Sequence, residues 1–298
     1  MLIAIAGLAS SHPFTDARIL AERADLVVCD DDPARLARFR AEHPAARVAG
    51  DLGELLAARP DGVVLTVPTP QVAPALAAVL DRDLPCFVNK PAAASAAQLA
   101  ALDKAVASAP HRVLTSSVLR FAPGFTSFAP GPADEVLAAQ VTVRHDVGRW
   151  AGGHNPWQDD PQVGGGMLVT MGVHGVELLV ALFGPDVRLA GATAATRSYQ
   201  TLASEDTAVL LLQWAGGIAA SIIFLGVTGS ESYEVVLHTP AGQRGVRLRG
   251  GADAEVSLGY RATLAAFWSM VEGAPSPVPW EQTRAVLSAL AEARSLTA

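Results

Sequence analysis

The chain has 298 residues, half of them hydrophobic and 17% charged, with a formal net charge of −7. This length suits two domains of ~100–200 residues each. An acidic balance without a basic cluster argues against a protein that binds the phosphates of nucleic acids. The two cysteines, Cys29 and Cys86, lie in apolar segments. We expect buried thiols in a reducing compartment rather than a disulfide or a metal site.

The first 120 residues alternate short apolar runs with helix-length segments. We expect strands at 2–6, 25–30, 47–49, 62–67, 85–88 and 112–116. We expect helices at 13–23, 33–42, 52–58, 72–80 and 95–107. The run at 62–67 is continuously apolar, as in a parallel strand buried on both faces. The alternation predicts an α/β domain with a doubly wound parallel sheet over residues 1–120.

The pattern changes after residue 120. Strands are expected at 135–147, 186–200, 206–214, 217–227, 231–239 and 244–250. A helix between the first two strands follows three glycines and ends near residue 183, and two more are expected at 260–272 and 281–296. This order predicts an α+β domain over residues 121–298, with a large, mostly antiparallel sheet and helices on one face.

One uncharged stretch, residues 207–230, is long enough to span a bilayer. Glycines at 216 and 217 split it, and β-branched residues are frequent, so a β-hairpin explains it better. The first six residues lack the basic segment of a signal peptide and are typical of a strand. We therefore expect a soluble, cytoplasmic protein without a membrane partner.

The helix after the three glycines carries a polar stripe. Thr170, His174 and Glu177 stand at positions i, i+4 and i+7, which places them on one face of an otherwise apolar helix. Buried polar groups need partners or a ligand. A core histidine satisfied by Glu177 or a backbone carbonyl explains the stripe as well as a functional site does.

The turn after the first strand, residues 7–12, occupies the place of a G-x-G-x-x-G phosphate-binding turn. Only Gly7 matches, because Ala9 and His12 replace the second and third glycines. The N-terminus of the following helix still offers free N–H groups, and Ser10 and Ser11 add hydroxyl donors. An ordinary strand–helix turn remains an equally open interpretation.

Two further strand ends carry candidate groups. Asp30 ends the second strand and is placed to accept hydrogen bonds from a ribose diol, which favours NAD over NADP. Alternatively, the acids at 30–32 only cap the next helix. Lys90 follows the strand at 85–88 among apolar and small residues, so enclosure would lower its pKa toward neutrality. Pro91 fixes the turn and is a candidate for a cis bond.

Seven segments carry a resemblance to one family. They are residues 87–91 with Asn89-Lys90-Pro91, the Arg120-Phe121-Ala122-Pro123 segment, the loop 157–166, the Gly172-Val173-His174 segment, residues 205–208, the glycine pair at 216–217, and the turn at 239–242. Together these resemble the glucose-fructose oxidoreductase / inositol dehydrogenase (Gfo/Idh/MocA) family along almost the whole chain.

The resemblance implies a Rossmann domain, a substrate domain whose open-faced sheet builds homodimers or homotetramers, and a nicotinamide cofactor. It implies an oxidoreductase acting on a hydroxyl or carbonyl of a sugar, cyclitol or related small molecule. Lys90 and His174 would handle the proton, with Thr170 beside them. The cofactor-binding set would be Gly7, Ala9, Ser10, Ser11, His12, Asp30, Val67, Pro68, Thr69, Asn89 and Lys90. The substrate-binding set would be Arg120, Trp157, Asp159, His174 and Glu177, with His154 nearby.

The sequence also departs from the family pattern. Thr170 stands in place of an aspartate, Asn89 in place of the glutamate before the lysine, and Glu177 in place of an aspartate. No histidine follows the Thr-Pro pair at 69–70. These changes leave open a binding protein or sensor that has lost turnover.

A third alternative is a metal-dependent hydrolase or lyase. There His174 and Glu177 would ligate an ion, with one of His154, Asp159 and Asp160 completing the set. No metal-binding motif supports it, and we predict no metal site.

Overall fold

A computed structural model describes residues 1–128, 135–251 and 253–297. Its first sheet has six parallel strands in the order β3-β2-β1-β4-β5-β6. The strands are β1 (Leu2–Ala6), β2 (Asp25–Cys29), β3 (Arg47–Val48), β4 (Gly62–Leu65), β5 (Cys86–Val88) and β6 (Val113–Leu114). This order confirms the predicted doubly wound sheet. Strand β6 is shorter than predicted, because 3-10 helices at Pro110–Arg112 and Val118–Phe121 flank it.

Five helices connect these strands. They are α1 (His12–Leu20), α2 (Pro33–Glu42), α3 (Leu52–Ala57), α4 (Thr69–Leu80) and α5 (Ala96–Val106). Helix α4 begins three residues before the predicted start, because Pro70 is compatible with the first helical turn. Asp32 caps α2, accepting from the N–H groups of Ala34 and Arg35.

The second sheet has the order β12-β11-β7-β10-β9-β8 and is antiparallel except between β7 and β10. Its strands are β7 (Ala138–Arg144), β8 (Val187–Ala195), β9 (Thr207–Trp214), β10 (Ala219–Leu225), β11 (Ser232–Thr239) and β12 (Gly242–Arg249). Strands β9 and β10 confirm the predicted hairpin within the uncharged stretch 207–230.

In the described part of the chain, eight further α-helices follow β6. They are α6 (Pro123–Phe128), α7 (Gly148–Ala151), α8 (Pro156–Asp159), α9 (Gly166–Thr170), α10 (Gly172–Phe183), α11 (Ala254–Ser257), α12 (Tyr260–Val271) and α13 (Trp280–Thr297). The short helices α6, α7, α8 and α11 were not predicted. Helices α9, α10 and α13 pack on one face of the second sheet, as predicted for an α+β domain.

The prediction of a single helix after the three glycines is wrong, because the structure divides this helix at Met171. The N–H group of His174 donates to the carbonyl of Met171 at 3.1 Å rather than to that of Thr170. Gly172 lies so close to Leu290 of α13 that an added Cβ would sit 2.6 Å from a methyl group. The interruption therefore lets α10 approach α13 and frees the carbonyl of Thr170.

The chain's C-terminal part returns to the first sheet. Leu264, Phe267 and Trp268 of α12 pack with Ile3, Val64 and Phe87 on the face that α1 and α2 also cover. Alternate strand residues face α3, α4 and α5 on the other side. Both cysteines are buried and free, as predicted. The domain division at residue 120 stays a prediction.

One helical stretch, Gly166–Phe183, is long and apolar enough to cross a membrane by length and composition alone. However, 83% of it is buried inside the second domain. Core helices of globular domains share this composition.

Candidate active site

A pocket of about 180 Å³ opens at the carboxyl ends of β1, β2 and β4. Gly7, Ala9, Asp30, Val67 and Pro68 all border it, so it brings together five of the residues predicted to bind a cofactor. In an open parallel sheet this edge is where ligands bind.

The turn after β1 is tightly built. Gly7 has φ +87°, and a Cβ there would collide with the carbonyl of Thr66. The N–H of Leu8 donates to Asp30 Oδ2 at 2.5 Å, and that of Ala9 donates to the Thr66 carbonyl at 3.1 Å. The N–H groups of Gly7, Leu8 and Ala9 are thus already used within the protein.

The start of α1 completes this turn. Ser10 is buried and its hydroxyl accepts the N–H of His12 at 3.2 Å, whereas Ser11 is exposed. Ser11 makes no side-chain cap to the helix. The Ser11 hydroxyl therefore remains available to a ligand.

Asp30 is held by three donors. Its carboxylate accepts from the N–H groups of Leu8 and Asp32 and from Arg35 Nε, the last at 2.9 Å. Asp31 and Arg35 line the same pocket. Asp30 is therefore not the cap of α2, and it presents its charge to the pocket together with an arginine.

Lys90 follows β5, and its bond to Pro91 is cis, as the sequence suggested. The side chain is 8% exposed, and Nζ donates to the carbonyl of Thr170 at 3.2 Å. Burial lowers the pKa of Lys90 to about 8, although the nearby charge of Glu231 opposes the change. Lys90 is therefore poised to exchange a proton close to neutral pH.

His174 of α10 is buried, and its Nδ1 lies 2.6 Å from the hydroxyl of Ser117. The same hydroxyl accepts the N–H of Leu119 at 3.2 Å, so its own proton is best directed at Nδ1. That assignment leaves the imidazole proton on Nε2. Burial, and then the charge of Lys90, hold the pKa of His174 well below its ordinary value. The ring is therefore neutral, and its Nε2–H is a hydrogen-bond donor.

Two buried polar atoms lack a hydrogen-bond partner among the described residues. They are His12 Nδ1 and Thr170 Oγ1, while a third such atom, Arg112 Nε, lies in an ion pair with Asp83. Burial, followed by the charge of Lys90, lowers the pKa of His12 to about 3, so this ring is also neutral. Because orphaned buried groups are costly, they fit a site whose ligand completes the hydrogen bonds. This observation favours a bound cofactor and substrate at the same edge.

Four residues not foreseen from the sequence lie near Lys90, His174 or His12. Glu231 and His145 lie next to the paired residues Ser232 and Arg144 at the end of the β7–β11 ladder. The hydroxyl of Tyr233 donates to Glu231 at 2.6 Å, and its ring lies 5.1 Å from that of His174. Tyr260 of α12 stacks near His12, with ring centroids 5.7 Å apart. No motif marks them, since register and helix packing bring them here.

Ser117 could have been found by the rule that served Lys90. It lies just beyond β6, at the carboxyl edge of the parallel sheet. Asn89 is buried, and its amide donates to Asp16 and Thr66 rather than into the pocket.

Three residues of the predicted substrate-binding set have partners within the protein. Glu177 is 1% exposed and forms an ion pair with Arg120 at 2.7 Å, so these two groups satisfy each other. Burial raises the pKa of Glu177 against the opposing charge of Arg120. Asp159 accepts from the N–H groups of Ala203 and Ser204 and from the Ser204 hydroxyl. All three residues therefore have a structural role, and their contact with a substrate stays a prediction.

The loop before α9 closes over the glycine turn. Trp157 Nε1 donates to the carbonyl of Ala9 at 2.7 Å. The hydroxyl of Thr69 donates to the carbonyl of Val163, so Thr69 holds the loop and does not line the pocket. His154 is exposed. Within the described ranges, no group of three or more His, Cys, Asp or Glu side chains is arranged to hold a metal ion.

Comparison with known proteins finds a domain that part of the chain resembles. Residues 131–243 match the model of the GFO/IDH/MocA C-terminal domain. No curated protein sequence matches the chain.

Solved structures match nearly the whole chain. A myo-inositol dehydrogenase from Corynebacterium glutamicum has a TM-score of 0.82 at 16% identity, covering 100% of this chain and 96% of its own. GenD2 from gentamicin A biosynthesis, in complex with NAD, has a TM-score of 0.84 at 22% identity, covering 98% and 92%. The myo-inositol 2-dehydrogenase from Lactobacillus plantarum has a TM-score of 0.85 at 15% identity, covering 99% and 96%. The two-domain fold is shared along their full lengths.

Proposed function

We propose that this chain, a member of the Gfo/Idh/MocA family by its fold and its C-terminal domain, is an NAD(P)-dependent oxidoreductase. The substrate would be a hydroxyl or carbonyl compound of the sugar or cyclitol class. One observation carries the proposal. Lys90, just beyond β5, donates to the carbonyl of Thr170 and lies close enough to His174 for their charges to interact, at the same edge of the parallel sheet that carries the pocket.

The residues present fit a dinucleotide at the pocket. Gly7 allows the chain to turn closely against β4, and the start of α1 offers its positive end with the hydroxyl of Ser11. Asp30 and Asp31 suit a ribose diol and oppose a 2′-phosphate. Among the described residues Arg35 is the only cation that lines this pocket, and Asp30 and Asp32 already neutralise it. We therefore propose NAD as the preferred cofactor, with NADP less favoured.

When bound, a nicotinamide ring supplies the acceptor or donor of a hydride. Lys90 in its neutral form takes the proton of the substrate hydroxyl during oxidation and returns it during reduction. His174 donates a hydrogen bond from Nε2 to the same oxygen, because its ring is neutral and Ser117 holds Nδ1. General acid–base work of this kind contributes ~10²–10⁴-fold.

The cleft also limits the substrate. Tyr260 adds aromatic surface near His12, His145 lies near His174, and Glu231 adds a carboxylate near Lys90. Such walls suit a neutral polyol, whose ring packs on aromatic faces and whose hydroxyls need acceptors.

A second candidate is a family member that binds the cofactor or a sugar without turnover. Two features favour it. The N–H groups of Leu8 and Ala9 already have partners within the protein, and the side chain of Thr170 carries no charge. Hydride transfer separates the two candidates, because a sensor binds NADH and never changes its absorbance with any polyol or keto-sugar.

The first experiment is a thermal-shift titration with NAD, NADH, NADP and NADPH. A ligand at ~100 times its dissociation constant stabilises the fold by ~2.7 kcal/mol. Absence of a shift with all four would overturn the proposal. If a shift appears, Lys90→Ala should abolish turnover and leave cofactor binding largely intact.

A further inference from the structure

Asp16 and Asn89 form a buried hydrogen-bonded pair next to Lys90. Asp16 of α1 is 2% exposed and Asn89 is 6% exposed. Asn89 Nδ2 donates to Asp16 Oδ2 at 2.9 Å and to the hydroxyl of Thr66 at 2.7 Å. The pair thus ties the first helix to the ends of two adjacent strands, β4 and β5.

The place of Asn89 in the chain makes this pair relevant to Lys90. The backbone N–H of Asn89 donates to the carbonyl of Leu65 at 2.9 Å, and the next residue is Lys90. Residue 89 is thus fixed by its backbone and by both hydrogens of its side-chain amide. Since a lysine has a long, flexible stem, its ammonium reaches the carbonyl of Thr170 reliably only if the backbone before it is fixed.

Burying a carboxylate here is costly for the fold. Asp16 lies on the helix face that also buries Ile19 and Leu20. Asn89 donates a hydrogen bond to Asp16, and Tyr260 is a titratable group close enough to interact with its charge. Burial raises the pKa of Asp16 to about 7. A leucine would be cheaper if packing were the only purpose.

We propose that Asp16 is a positioning residue for Lys90. Acting through Asn89, its carboxylate holds the strand end that directs the lysine. The catalytic consequence rests on the proposed function, whereas the orientation of Lys90 does not.

The composition of the chain offers a direct measurement. Lys90 and the exposed Lys104 are its only lysines, so protein with ¹³C at lysine Cε gives two NMR signals, and Lys104→Arg assigns them. In Asp16→Ala the Lys90 side chain should become more mobile and more exposed to water. Because burial is what lowers its pKa, its titration midpoint should rise by about half a pH unit or more. The Lys104 midpoint should stay unchanged as an internal reference.

Exchange variants test the pair itself. Asp16→Asn keeps an acceptor for Asn89 and should keep the wild-type midpoint of Lys90. Asn89→Asp sets two carboxylates against each other and should lower kcat about tenfold or more. The double variant Asp16→Asn/Asn89→Asp should recover most of that loss, with the NADH dissociation constant within about threefold throughout.

Two results would overturn the proposal. One is a Lys90 midpoint in Asp16→Ala equal to that of the wild type. The other, decisive if Asp16→Ala does not fold, is a double variant no better than Asn89→Asp. A wild-type protein that binds no nicotinamide would instead refute the proposed function, and the NMR midpoints would still decide the role of Asp16.

Discussion

Lys90 donates a hydrogen bond from its ammonium group to the backbone carbonyl of Thr170, 3.2 Å away. That carbonyl is free because the helical segment breaks at Met171. The N–H of His174 donates to the carbonyl of Met171 instead of to that of Thr170. Carbonyls at a helix end favour a cation. The break that brings α10 against α13 therefore also supplies an acceptor for Lys90. This acceptor is the backbone carbonyl of Thr170, whose side chain carries no charge.

The first prediction is a pH dependence set by Lys90. Turnover in the direction of alcohol oxidation should increase as the pH rises through about 8, because only the neutral amine accepts a proton. His174 should add no limb near neutrality, since its pKa lies well below the ordinary value. The measurement is kcat/KM against pH. A profile that stays flat across this range would contradict the assignment of Lys90 as the base.

Thr170→Val should stabilise the protein without ligand. The Thr170 hydroxyl is buried and has no partner in the described part of the chain, so an isosteric apolar residue removes an unmet hydrogen bond. The free energy of unfolding should rise by about 1 kcal/mol in a denaturant titration. The matched control is Thr263→Val, because the Thr263 hydroxyl is equally buried and donates to the carbonyl of Gly259 at 2.8 Å. That variant should lose stability, and equal losses in both would refute the argument.

The sequence located Lys90 and His174 because each carries a local signal. One is a charged residue at an apolar strand end, and the other is a polar position on an apolar helix. It missed Asp16 and Tyr233, whose roles depend on contacts between distant elements. The two sheets were predictable from the spacing of apolar runs.

The same limit explains why the pairing of two predicted substrate residues was not foreseen. Arg120 and Glu177 are separated by 57 positions in the sequence, and nothing local indicates that they pair. The break at Met171 was equally hidden, because it depends on how closely Gly172 approaches α13.

Ser117→Ala should impair turnover more than it impairs folding. Without the hydroxyl, Nδ1 of His174 loses its partner, and the proton is free to move to Nδ1, which removes the donor from Nε2. We expect kcat to fall about 10- to 100-fold, with cofactor binding unchanged. Ser116→Ala is the control, because its hydroxyl serves Glu177 and the carbonyl of Ser117 instead. Equal kcat in the two variants would show that Ser117 does not orient His174.

The last prediction concerns self-association through the outer face of the second sheet. Leu211 of β9 is 49% exposed and Ile223 of β10 is 40% exposed. They lie on the face of the sheet opposite α10. Burying apolar surface of this kind in an interface is favourable by ~25 cal/mol per Å². We expect a homodimer or homotetramer, and Leu211→Glu/Ile223→Glu should reduce its mass in light scattering after size-exclusion chromatography. Leu296→Glu is the control, since Leu296 is 61% exposed on α13, and it should leave the assembly intact. A wild-type chain that elutes as a monomer at micromolar concentration would refute this expectation.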